Sequence, residues 1–289
     1  MQMRPTTLLN DDPHRDDPIV VLGTAGSGTR VFSDLLEWAG VFMGRRRNPQ
    51  RDSLDFIEIV KNGMPIADPD APLSGNYLTE IRSPNFSLKQ LTPATRVRVE
   101  SVSTAFRSAI SRDLLPHHEA WGWKESQSMF FLPALKQLFP RMRVVHVIRD
   151  GRDMAFSRQQ RARYQAAYVQ CLTHRANPPD DDDEWPVMVA EAWQTANLGV
   201  FRWSSRCLAP SDYIPVRLEA LAEDSVEFTK HLYDALGLTA QPSATALNDA
   251  GFDPAKLRLG KYRGMRSDLV ARIERVAGDA LRQFRYVLQ

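Results

Sequence analysis

The chain has 289 residues, of which 43% are hydrophobic and 25% charged, enough to bury one large α/β core with a sizeable insertion. It contains no apolar run long enough to cross a membrane, and no recognised nucleic-acid motif accompanies its basic residues, so neither a membrane span nor a nucleic-acid partner is expected. The formal net charge of +2 hides strong local bias, taken up below.

Residues 1–17 are polar and lack the apolar core of a secretory signal, so they read as an N-terminal tail ahead of a single domain over residues 18–289. The two cysteines, Cys171 and Cys207, show no CxxC spacing and read as reduced thiols of a cytoplasmic protein. Ile19-Val20-Val21-Leu22 suits a strand buried on both faces. The glycine turn Gly23-Thr24-Ala25-Gly26-Ser27-Gly28 follows, and then a helical pattern with Val31, Leu35, Trp38 and Ala39 near one face. Strand, glycine turn and helix start together bind phosphate, because successive N–H groups converge and the helix N-terminus adds partial positive charge. Gly26, Ser27, Gly28, Thr29 and Arg30 are the cradle candidates; the plainer reading is a tight turn with no ligand. The spacing is that of a Walker A loop, but Thr29-Arg30 stands where Lys-Ser/Thr belongs, which disfavours a metal-dependent triphosphatase or kinase.

Residues 45–116 read as a mainly helical insertion, a natural wall for an acceptor pocket. Arg45 to Pro49 is a loop, Leu54 to Val60 a short helix, Met64 to Gly75 a loop, and Thr92-Pro93 a helix start. Ala120 to Lys124 is the second buried strand, with Glu125, Ser126 and Gln127 at its carboxyl end. A helix is predicted over Phe131 to Phe139. Arg143 to Ile148 is the third strand, with Arg149-Asp150-Gly151-Arg152-Asp153 at its exit and a long helix from about Met154 to Tyr168. Arg175 to Glu184 reads as a solvated linker; Pro186 opens a helix through Phe201. Tyr213 to Val216 is the fourth strand, Phe228 to Leu236 an amphipathic helix ending at Gly237, and a last helix runs to about Phe284. Strands alternating with helices predict a three-layer, P-loop-like α/β fold with a central, mainly parallel sheet.

Charge is concentrated in two places. Arg141 to Arg175 holds eight arginines against Asp150 and Asp153, and Lys256 to Arg266 holds five basic residues and no acid. Two separate basic clusters fit an anionic ligand gripped at both ends, although most such arginines, taken singly, belong to solvated helix faces.

Val144 to Ser157 (VVHVIRDGRDMAFS), taken with GTAGSGT, resembles the bacterial-type sulfotransferases that use 3′-phosphoadenosine-5′-phosphosulfate (PAPS). The resemblance implies a first loop that cradles the 5′-phosphosulfate, and a 3′-phosphate held by Arg149 and Ser157, eight residues apart across a helix start. Arginine suits that task through its forked, charge-assisted donors. WGWKES (Trp121 to Ser126) and VRLEAL (Val216 to Leu221) match further family segments, and GKYRG resembles the late basic loop, adding Lys261 and Arg263 to the 3′-phosphate site. The implied activity is transfer of a sulfuryl group to a hydroxyl or amine of a small-molecule or glycan acceptor, without a metal.

One departure stands out. The family carries a cation just before Ser-Gly-Thr, where this chain has Gly26, so Arg30 or Lys124 would have to supply the charge. Glu125 is the candidate general base. Its plainer role is an ion pair with Arg149 or Arg152, and His117, His118, Glu80 and Glu100 are the other candidates. His146, mid-strand, reads as a core histidine, and the tryptophans 38, 121, 123, 193 and 203 mostly as core. A nucleotide-binding module without catalysis is the alternative that Gly26 favours, with a P-loop kinase behind it.

Overall fold

A computed structural model describes residues 18–54, 120–157, 169–170, 172–173, 179, 181–249 and 252–288. Among the described residues, five strands form one parallel sheet. They are β1 (Ile19–Leu22), β2 (Val41–Phe42), β3 (Ala120–Lys124), β4 (Arg143–Ile148) and β5 (Tyr213–Arg217), in the order β2-β3-β1-β4-β5. Strands β1, β3 and β4 are buried along their whole length, as parallel strands covered on both faces must be. Alternate side chains face opposite layers. Val20, Leu22, Trp121, Trp123 and Val144 pack on α2 (Leu132–Leu138) and α4 (Glu184–Cys207). Ile19, Val21, Val145 and Val147 pack on α1 (Thr29–Trp38) and α6 (Ser225–Ala235). A third apolar cluster joins α3 (Gly151–Ala155) and α4 to α8 (Ser267–Gln283). Short helices α5 (Leu218–Glu223) and α7 (Ala244–Asp249) complete the set.

The chain leaves β3 on one side of β1 and returns as β4 on the other. That reversal opens a crevice beyond the carboxyl ends of β1, β3 and β4, the place where open α/β sheets bind ligands. β3 lies close against β1: a Cβ at Gly122 would sit 1.9 Å from the Ile19 carbonyl oxygen, so only glycine fits.

Several expectations need correction. The helix after β4 begins at Gly151, because Asp150 caps it by accepting from Arg152 N at 2.9 Å; this stretch ends at Ala155, and residues 158–168 lie outside the described set. Arg45 to Pro49 is the loop expected, and a turn carries the chain on through Ser53 before helix begins at Leu54. Asn48 Oδ1 accepts from the N–H of Gln50 and of Asp52, and Arg47 forms an antiparallel bridge with Ser53. Residues 55–119, which include the rest of the insertion with Glu80 and Glu100 and, after it, His117 and His118, lie outside the described set. The buried face of α1 is Phe32, Leu35 and Leu36, and Trp38 is 37% exposed at its edge, stacked on Tyr233. The acidic run ahead of α4 is more than linker: Asp183 and Glu184 pair with Arg266 and Arg272.

His146 is fully buried, as a core histidine should be. Asn197 donates its amide to Trp193 O at 2.7 Å, which turns its Oδ1 to His146 Nε2 at 2.9 Å and sets the neutral tautomer with Nε2–H donating. Nδ1 then accepts from the Tyr213 hydroxyl at 2.9 Å. Burial pushes the imidazole pKa down to about 4. The unfolded chain binds a proton there below about pH 6.5 and the folded chain does not, so stability falls as pH drops from about 6.5 toward 4 and is unaffected above 7. Between pH 7.5 and 5.0 the wild type should lose on the order of 2 kcal/mol more unfolding free energy than His146→Gln. Urea titrations at the two pH values measure this; an identical loss in both proteins would show that His146 does not stay neutral.

Candidate functional site

The turn after β1 is shaped by its glycines. Gly26 and Gly28 both have φ of 91°, in the left-handed region that side chains disfavour. A Cβ on Gly28 would also sit 2.7 Å from Leu218. Ser27 N donates to Thr24 O at 2.9 Å, closing the turn. Gly28 caps α1 without a side-chain acceptor, so the first amides of a ten-residue helix face the crevice without an intrachain cap. Ser27 Oγ and Thr24 Oγ1 are buried and make no hydrogen bond. Buried hydroxyls without partners are costly, and they suit a cradle that takes an anion.

Arg149, at the exit of β4, binds this turn to two other parts of the chain. Its Nη1 lies 3.4 Å from Gly26 O; its Nη2 donates to Asp153 Oδ2 at 3.1 Å and to Arg258 O at 2.8 Å. Its Nε is buried and makes no hydrogen bond. Asp153, 1% exposed, also accepts from Gly260 N at 2.8 Å and Tyr262 N at 3.2 Å. The glycine turn, the β4 exit and the 258–262 loop therefore meet around one guanidinium and one carboxylate.

This junction singles out a residue the sequence reading passed over. Arg258 has a left-handed φ of 51° at the end of the short turn Pro254–Leu257, and its main chain touches Arg149. Strained non-glycine residues of this kind cluster at functional sites. Its signal was faint, one basic residue among five. Lys261 and Arg263 sit further out, both exposed, with Arg263 over the Tyr262 ring at 5.9 Å. Ser157 is half-buried just past α3, its N–H bonded to Met154 O at 3.0 Å. Arg30 is exposed in the first turn of α1, one turn from the half-buried Asp34, whose pKa is raised by burial and lowered in part by Arg51 and Arg30.

Lys124 lies on the other flank of β1. It is 4% exposed, donates to Gln50 O at 3.1 Å, and pairs with Asp52. The 45–54 turn is thus tied to β3, and also to α1 through Arg51 and Asp34 at 2.8 Å. Lys124 and Glu125 do not share a face: β3 ends at Lys124 and a 3-10 turn begins at Ser126, but Glu125 between them keeps extended backbone angles and donates its N–H to Val21 O at 3.2 Å. Lys124 then falls on the α1 side with Ala120, and Glu125 on the α4 side with Trp121 and Trp123. Nor do Arg149 and Arg152 serve as ion-pair partners of Glu125 here: the first pairs with Asp153, the second with Asp150 and Glu274.

Among the described residues no group of three or more histidines, cysteines and carboxylates is arranged to hold a metal ion, and no helix is long and apolar enough to cross a membrane. A comparison with curated proteins finds no match. A sulfotransferase domain from the curacin biosynthetic pathway has 13% identity and a TM-score of 0.55, over 94% of this chain and 99% of its own. A sulfotransferase domain of the olefin synthase of Synechococcus PCC 7002 has 15% identity and a TM-score of 0.53, over 94% and 95%. At such identity the likeness is one of fold. The profile of the sulfotransferase family, in contrast, matches residues 18–242, most of the chain and every strand described above. The chain belongs to the sulfotransferase family.

Proposed function

We propose that the protein transfers a sulfuryl group from PAPS to a hydroxyl or amine of a small-molecule or glycan acceptor. The observation that carries the donor assignment is the convergence on Arg149. The glycine turn and the 258–262 loop both reach its guanidinium, and Thr24, Ser27 and Arg149 each retain a buried polar atom without a hydrogen bond. The nucleotide supplies an activated sulfuryl group. Gly26 to Arg30 hold its 5′ end through backbone amides and the start of α1, and Arg149 and Ser157, with Arg258 beside them and Lys261 and Arg263 at the rim, hold the 3′-phosphate.

Gly26 leaves the turn without the family's cation. Lys124 fills that role better than Arg30. It stands on the same side of the sheet as α1, is buried, and pairs with Asp52. A buried, fixed positive charge stabilises negative charge developing on a bridging oxygen without reorganisation. Glu125 belongs to the opposite layer and is given no part in the transfer.

Arg149→Ala should weaken binding of adenosine 3′,5′-bisphosphate by roughly 1.5–3 kcal/mol, as for a lost charge-assisted hydrogen bond. Adenosine 5′-phosphosulfate, which has no 3′ group, should bind nearly as before. Calorimetric titration of both ligands decides it, and equal losses would make Arg149 a tie between loops and not a phosphate ligand.

Lys124→Ala should lower kcat by about 10²–10³-fold on any acceptor the wild type sulfates, with bisphosphate affinity kept, because the charge acts mainly in the transition state. Glu125→Gln should keep kcat within about threefold. Turnover with radiolabelled donor across an acceptor panel reads both; a Glu125→Gln enzyme that is dead yet binds nucleotide would restore Glu125 as the base.

A further inference from the structure

The turn that presents Arg149 is held from behind. Asp150, next in the chain, donates its N–H to Glu219 Oε1 at 2.9 Å. Glu219 stands in the first turn of α5, and its other oxygen accepts from the Tyr286 hydroxyl at 2.7 Å. Tyr286 follows α8 and is 7% exposed. Its segment is fastened at two further points. Arg152 Nη1 donates to Val287 O at 2.9 Å, and Arg217 Nη1 donates to Arg285 O at 3.2 Å, with the Arg217 guanidinium 5.5 Å from the centre of the Tyr286 ring. Arg285, at φ of 61°, makes the sharp turn that brings Tyr286 back onto the sheet end.

Glu219 is an unusual residue for this place. Burial raises its carboxyl pKa, and the Asp150 N–H and the Tyr286 hydroxyl offset part of that. A neutral side chain would bury there more easily, but it would leave the Asp150 amide without an acceptor at the residue that follows Arg149. The Asp150 side chain cannot take over, since both of its oxygens are engaged by Arg152.

We propose that Glu219 is a positioning residue for the donor site: by accepting the Asp150 N–H it fixes the turn that aims Arg149, and Tyr286 orients its carboxylate for that task. The proposal rests on reading Arg149 as the 3′-phosphate ligand. It makes the segment after α8 part of the donor site without contact to the nucleotide, and it predicts an effect on one phosphate and not the other.

The test is calorimetric titration of the full chain with adenosine 3′,5′-bisphosphate and with adenosine 5′-monophosphate, alongside thermal unfolding. Wild type should prefer the bisphosphate by about tenfold or more. Glu219→Leu should lose about tenfold in bisphosphate affinity and less than about twofold in monophosphate affinity. Glu219→Gln, which keeps an oxygen for the Asp150 N–H, should stay within about twofold of wild type for both. Tyr286→Phe should show a bisphosphate-selective loss of about two- to threefold. Equal losses for both ligands, no loss at all, or a Gln variant as poor as Leu would overturn the proposal and leave Glu219 a structural tie. Should Glu219→Leu not fold, Tyr286→Phe decides alone by the same criterion. A wild type without preference for the bisphosphate would bring down the donor reading, and this inference with it.

Discussion

A buried carboxylate is costly unless donors meet it, and Asp153 is the carboxylate on which this site depends. At 1% exposure it accepts from Arg149, Gly260 N and Tyr262 N. Losing the partners of such a group costs about 3–5 kcal/mol, so the three donors are held together by the penalty of separating them. Two of those donors are backbone amides more than a hundred positions downstream. The 258–264 segment, with little apolar surface of its own, is thereby fixed against the β4 exit, and through Arg149 it reaches the carbonyl of Gly26. One buried negative charge thus sets the spacing between the two basic ends of the crevice.

The sheet decides which side chains can join that crevice. Because both faces are covered, every residue at a strand end is committed to one layer by parity. Lys124 shares the α1 layer with the glycine turn, whereas Glu125, one position on, does not. Adjacent charged residues in a sequence look like a working pair. Where the backbone stays extended through both, they are the residues least able to act on one atom.

Much of this was legible in the sequence. Four of the five strands showed as short apolar runs bounded by glycine, proline or charge, and the glycine turn was placed because its spacing is local. What could not be read was set by distance or by brevity. The two-residue strand β2 has no periodicity to detect. Trp38 sits at a helix edge, and only the arrival of Tyr233 from α6 shows that its ring is stacked and not buried. Asp52 pairs with Lys124 across 72 positions, and Arg258 meets Arg149 across 109, contacts that no local pattern encodes. The loop read at the start of the insertion is a tight turn, held because Asn48 binds the backbone amides of Gln50 and Asp52, a detail no periodicity signals.

The arginines of the β4 exit show how charge accounting separates binding from support where sequence cannot. Arg149 and Arg152 lie three residues apart in one motif and are both almost fully buried. Arg152 is matched twice over: Nε and Nη2 go to Asp150, Nη1 goes to Glu274 and to Val287 O, and its plane rests 4.1 Å from the centre of the Tyr262 ring. Two carboxylates already exceed its single charge, so an incoming phosphate would find neither field nor donors. Arg149 has one carboxylate, already shared with two amides; its other contacts are neutral carbonyls, and its Nε has no acceptor. Its charge is only partly compensated at the point where the loops converge. A dianion there would gain from both the residual field and the open donor. Local counting of arginines predicts a basic surface, but only the pairing of each one shows which remains available to a ligand.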